Sequence, residues 1–93
     1  MSDTISPAQT KKGTFPWEVA TPEGTVASGE CEFLVVPTTR GELGVLAGHS
    51  ALVACVTPGQ MRVTSAGALT LVTVGHGLVD IRDNKVSLLL SAT

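Results

Sequence analysis

Two histidines, His49 and His76, are the side chains best suited to catalysis or to holding a metal. A metal site needs ligands at spacings that let them converge. Neither histidine belongs to a HxH, HxxxH or HExxH pattern, and neither has a cysteine close by in sequence. Structural hydrogen bonds or an interface position are the expectation for both. Ser50 follows His49 directly, but no Gly-x-Ser-x-Gly elbow surrounds it to set a nucleophile against its base. Gly41, Gly44 and Gly48 imitate the backbone cradle that holds a phosphate. Such a cradle needs a following Lys-Ser/Thr and a helix amino terminus, whereas this stretch leads into a strand-like run. Glu23 and Glu42 stand alone, where acid and base chemistry wants paired carboxylates in one cleft. No catalytic, cofactor-binding or metal-ligating residue is assigned, and the residues describe a noncatalytic binding or assembly module.

The stretch Arg40 to His49 places three glycines in ten residues, with Leu43, Val45 and Leu46 between them. Glycine loses the most backbone entropy on ordering, so the stretch predicts a tight, bulged surface loop. Apolar side chains in an exposed loop need a cover, which makes this loop the expected docking element for another molecule.

Around it the chain is strand after strand. Phe15, Trp17 and Val19 alternate with Pro16 and Glu18, and Pro16 predicts an edge strand. Thr21-Pro22-Glu23-Gly24 is a turn, and Val26 and Ala27 restart the chain. Cys31 to Val36, closed by Pro37, and Ala51 to Val56 are apolar on both faces and predict central strands. Met61 and Val63 alternate with polar residues. Ser65-Ala66-Gly67 turns the chain into Leu69 to Val74, and Gly75-His76-Gly77 bends it again. Leu78 to Ile81, a polar turn over Arg82 to Lys85, and Val86 to Leu90 complete the pattern. Short strands at regular intervals predict an all-β domain, a flattened antiparallel sandwich or barrel of about ten strands over residues 14–93. Residues 1–13 are polar and aperiodic and predict a flexible arm.

At 93 residues there is room for one core, and with 43% hydrophobic but 3% aromatic residues that core must be aliphatic. A net charge of -2 gives no electrostatic footprint for nucleic acid. No apolar run is long enough to span a bilayer, and no leader of basic and then apolar residues is evident, so no direct membrane insertion is expected. Cys31 and Cys55 lie in apolar runs without metal-type spacing and predict reduced core thiols in a cytoplasm-like compartment.

Thr21-Pro22-Glu23-Gly24, Gly41-Glu42-Leu43-Gly44-Val45-Leu46, Gly48-His49, Pro58-Gly59, Gly77-Leu78-Val79-Asp80 and Asn84-Lys85-Val86 follow one another in a way that resembles the amino-terminal domain of the epsilon subunit of rotary ATP synthases. The resemblance runs from about Phe15 to Ala92. It implies a β-sandwich of the central stalk that touches the gamma subunit and rests on the loops of the membrane ring of c subunits. It implies an interface at Gly41, Glu42, Leu43, Gly44, Val45, Leu46 and His49, with Glu42 and its neighbours toward the ring and His49 toward gamma. It further implies a noncatalytic subunit without cofactor, peripheral to the cytoplasmic face of a bacterial inner membrane, coupling a proton- or sodium-driven rotor. The family usually has proline where Ala47 and Ala51 stand and commonly glycine at His76. Its typical members continue past the position of Thr93 into an inhibitory two-helix hairpin. A free-standing regulatory or ligand-binding β module is the alternative.

Overall fold

Alternation of apolar and polar side chains decides this fold strand by strand. From Phe15 to Thr21 the odd positions are buried and Pro16, Glu18 and Ala20 between them are half-buried, the period of two that a strand with one face on a core requires. The structure, a computed structural model, describes residues 13–91 and holds nine strands and no helix among them. These are β1 (Phe15–Thr21), β2 (Gly24–Cys31), β3 (Phe33–Thr38), β4 (Gly41–Leu46), β5 (Leu52–Val56), β6 (Gly59–Ser65), β7 (Ala68–Val74), β8 (Gly77–Arg82) and β9 (Lys85–Leu90). The expected arm falls, apart from Gly13, outside the described residues.

Hydrogen-bonded neighbours run β2-β1-β9-β8-β5-β3-β6-β7, and β4 pairs the other edge of β3. Every pairing is antiparallel except that of β1 with β9. β3 meets β5 only at Thr38 and Val56. The sheet folds over at that narrow join. Val19, Ile81 and Leu88 on one inner face then share a core with Leu34, Val45 and Met61 on the other, all of them almost fully buried. Each such side chain contributes roughly 1.5–3 kcal/mol by leaving water. The expected all-β flattened sandwich is the fold observed.

Four hairpin turns use two devices. Thr21 and Thr38, the buried polar residues, each open a Thr-x-x-Gly turn. The Thr38 hydroxyl accepts from Arg40 N–H at 3.2 Å and donates to the Gly41 carbonyl at 2.6 Å. Thr21 repeats the pattern with Glu23 N–H at 3.2 Å and the Gly24 carbonyl at 3.5 Å. The other two turns, Ala66-Gly67 and Asp83-Asn84, have positive φ at both central residues, the twist that joins two antiparallel strands most directly.

Four expectations need correction. Pro16 does not make β1 an edge strand: β9 pairs β1 only from Trp17 onward, so the proline stands where one side is open and no amide is missed. The run from Cys31 to Val36 is not one strand, because the chain bends at Glu32; Cys31 ends β2 opposite Phe15, and Phe33 starts β3 opposite Leu46. Pro37, expected to close that strand, lies inside β3. Cys55 is a free thiol, as is Cys31, but it lies on the outer face of β5 and is exposed. β5 is central in the sheet, as expected, yet Leu52 and Val53 are exposed beside that cysteine.

Candidate functional site

The glycine-rich stretch is a strand, not a bulged loop. Gly41 to Leu46 pairs β3 residue for residue, from Thr38 with Gly41 to Phe33 with Leu46, without a register shift. Glycine is tolerated here for local reasons that spacing alone does not display. Gly41 takes a φ of 108° where the chain leaves the turn, a conformation side-chain-bearing residues rarely adopt. Gly44 lies beside the Phe33 ring, where a Cβ would stand 3.4 Å away, an ordinary contact.

The strand divides the expected interface residues between two faces. Val45 points inward, 1% exposed, and belongs to the core, so its side chain is not offered to a partner. Leu43 is half-buried against the same core. Gly41, Glu42, Gly44 and Leu46 are exposed. Sequence reasoning took the apolar triplet of the loop as one outward set; a strand must alternate, and that alternation is the correction.

Glu42 is already engaged. Its carboxylate receives two hydrogen bonds from the Arg62 guanidinium, at 2.8 Å and 3.1 Å. Residues of β4 and β6 lie on either side of β3, with Val35 opposite both Gly44 and Arg62, which puts the outward side chains of Glu42 and Arg62 within reach across Val35. The guanidinium beside it holds the Glu42 carboxyl below its ordinary value, through hydrogen bonding first and charge second. Both groups are solvent-exposed, so the fork fixes the direction of the carboxylate more than it stabilises the fold. Arg62 was not expected as a site residue. Alternation places it on the wet face of β6, but only the register through β3 brings it to Glu42.

Around this ion pair the outer face is apolar. Leu46 lies opposite Phe33, Phe33 opposite Thr64 and Thr64 opposite Leu69, one row crossing four strands; Leu71 follows opposite Arg62. Leu46 and Leu69 are each 61% exposed. Exposed apolar surface gathered in this way makes the face a candidate contact surface.

His49 and His76 occupy different ends of the sheet. Gly48 N–H donates to the Asn84 Oδ1 at 2.7 Å, which ties the His49 loop to the turn after β8, whereas His76 immediately precedes β8. The length of β8 separates them by about 20 Å. His49 Nδ1 lies 2.7 Å from the Ser50 carbonyl oxygen, so that nitrogen is engaged by backbone and not by the serine hydroxyl. His76 supplies its carbonyl to the Ser91 N–H at 2.9 Å. Among the described residues no group of three or more His, Cys, Asp and Glu side chains is arranged to hold a metal. No described helix is long and apolar enough to cross a membrane.

Comparison with known proteins identifies the family and the fold. Residues 14–93 match the family model described as ATP synthase, Delta/Epsilon chain, beta-sandwich domain. The chain is 39% identical over 77 residues to the ATP synthase epsilon chain of Desulfitobacterium hafniense (strain DSM 10664 / DCB-2), covering 83% of this chain and 58% of that one. It is 43% identical over 75 residues to the ATP synthase epsilon chain of Pelotomaculum thermopropionicum, covering 81% and 56%. The chain thus spans less than two thirds of the length of these curated relatives. A chain of the Euglena gracilis mitochondrial ATP synthase has the same fold, with a TM-score of 0.77 at 19% identity over 97% of this chain and 57% of that one. A central-stalk/c-ring structure of the Tetrahymena thermophila mitochondrial ATP synthase gives 0.65 at 19% identity, over 88% and 66%. By the match across residues 14–93 and by these relatives, the chain belongs to the ATP synthase delta/epsilon family, as its beta-sandwich domain.

Proposed function

We propose that this domain is a noncatalytic part of the central stalk of a proton- or sodium-driven ATP synthase, fastening the gamma subunit to the c-ring at the cytoplasmic face of a bacterial inner membrane. The observation that carries the reading is the family match over residues 14–93. The exposed row through Leu46, Phe33 and Leu69 supports it, since a subunit that transmits torque must bury surface on its neighbour. Within the expected interface, Gly41, Glu42, Gly44 and Leu46 stand at the surface, Leu43 and His49 are half-buried, and Val45 anchors the strand from inside.

Glu42 meets the ring as an oriented carboxylate, because Arg62 has already fixed its direction. Co-expression with gamma tests the reading as a whole. A stable complex with gamma is expected on purification; a monomer that never retains gamma overturns it. The residue assignment is tested in the assembled enzyme by Glu42→Lys beside the exchanged pair Glu42→Arg with Arg62→Glu. Both variants are expected to weaken ring attachment, since the exchange keeps the internal ion pair but moves the negative charge away from the ring. Parental attachment in both removes Glu42 from the interface.

A further inference from the structure

A groove of about 510 Å³ opens beside the tip of the β3–β4 hairpin, walled by Arg40 and Gly41 on one side and by Leu52 to Cys55 on the other. It exists because β3 stops before β5 does. The last bonds between them are Thr57 N–H to the Pro37 carbonyl and Thr39 N–H to the Cys55 carbonyl, each 3.1 Å; beyond these the chain turns back into β4. β5 continues past that turn, paired with β8 along its other edge from Leu52 to Val56. In an antiparallel strand both backbone groups of a residue point to the same side and successive residues alternate. Because the Cys55 carbonyl faces β3, the Cys55 N–H and both backbone groups of Val53 face the groove. None of these three has a backbone partner there among the described residues.

Two further features say what would complete the edge. Val53 is 60% exposed. Arg62, Arg82 and Lys85 each lie within ion-pair distance of a carboxylate, and Arg40, at the groove's rim, is the remaining lysine or arginine among the described residues and has none.

We infer that this groove binds an extended polypeptide segment carrying an acidic residue, which adds to the free edge of β5 in the track that β3 vacates. The segment's backbone pairs with Val53 and with the Cys55 N–H, an apolar side chain covers Val53, and its carboxylate meets Arg40. Main-chain pairing supplies the affinity and the charge supplies the choice of partner. The inference does not depend on the stalk assignment, because it concerns a peptide and this chain alone.

The test uses the 93-residue chain labelled with ¹⁵N and two capped pentapeptides, Thr-Val-Glu-Val-Thr and Thr-Val-Lys-Val-Thr. The glutamate peptide is expected to give saturable shifts centred on the Val53, Cys55 and Arg40 amides at millimolar concentration, and to slow exchange of the Val53 and Cys55 N–H groups at least tenfold. The lysine peptide is expected to bind at least tenfold more weakly, and Arg40→Gln to erase that difference. An absence of shifts at millimolar glutamate peptide overturns the inference. So does binding that ignores the peptide's charge, or shifts centred on the Leu46 and Leu69 face instead.

Discussion

The Glu42–Arg62 fork shows how much a single residue's role depends on a neighbour that sequence leaves remote. Glu42 was legible as a lone acid in an exposed stretch; its partner, 20 positions on, was not. The lowered carboxyl has a measurable signature. Its titration midpoint, followed by NMR, is expected below the ordinary value of 4.5, and Arg62→Gln is expected to return it toward that value. Because the folded value is depressed, the fork's contribution to stability is present above the unfolded carboxyl's value and is lost as pH falls through the lowered one. That contribution is small for an exposed pair, so the titration is the sensitive readout.

The cysteines make the same point in reverse. Both lie in apolar runs, yet burial pushes the Cys31 thiol up to about 11, while Cys55 is exposed. An aromatic disulfide reagent at neutral pH is expected to modify Cys55 in the folded chain and Cys31 only after denaturation. Equal, rapid reaction of both would contradict the placement of Cys31.

At the scale of elements, strand existence was readable wherever apolar and polar residues alternate, as in β1 and β6, and turns were readable where Gly, Pro or Asn marks them. β4 was not readable, because its glycines blur the alternation and Gly41 answers to a turn, which has no period. The second Thr-x-x-Gly turn was hidden for a related reason: Thr38-Thr39-Arg40-Gly41 lacks the proline that advertises Thr21-Pro22-Glu23-Gly24, though both hydroxyls make the same bonds. Thr38→Val keeps the shape and removes those bonds. It is expected to cost about 1–3 kcal/mol in denaturant unfolding, since it leaves backbone groups without their partner. Gly77 is a stronger constraint. A Cβ there would collide with the Leu89 carbonyl oxygen and lie 2.7 Å from the Leu90 Cα, across the pairing of β8 with β9. Gly77→Ala is therefore expected to cost about 1–3 kcal/mol, with the loss absent from Gly59→Ala, whose nearest new contact is 3.4 Å.

For the whole molecule, composition correctly set the aliphatic core, but no periodicity discloses which strands become neighbours. β1 lies beside β9, about 70 residues away, and β3 divides its edge between β5 and β6. Those choices depend on how two inner faces fill one space. Trp17 illustrates the compromise. Its ring packs against Gly29, and its indole nitrogen is buried without a hydrogen-bond partner. Trp17→Phe removes an unsatisfied donor along with some contact, so it is expected to change stability by less than about 1.5 kcal/mol, whereas Leu88→Ala at the fully buried centre is expected to cost about 2–5 kcal/mol in thermal or denaturant unfolding.

The same-direction pairing of β1 with β9 has a mechanical consequence. Phe15 and Leu90 lie toward opposite ends of that ladder, so tension applied through them slides one strand along the other and strains the bonds from Trp17–Val86 to Ala20–Leu89 together. A hairpin tugged at its open end, by contrast, unzips one rung at a time. The first and last of the described strands therefore form a shear joint, and a single-molecule pull through residues 15 and 90 should meet a higher rupture force than one through residues 59 and 74, the open end of the β6–β7 hairpin.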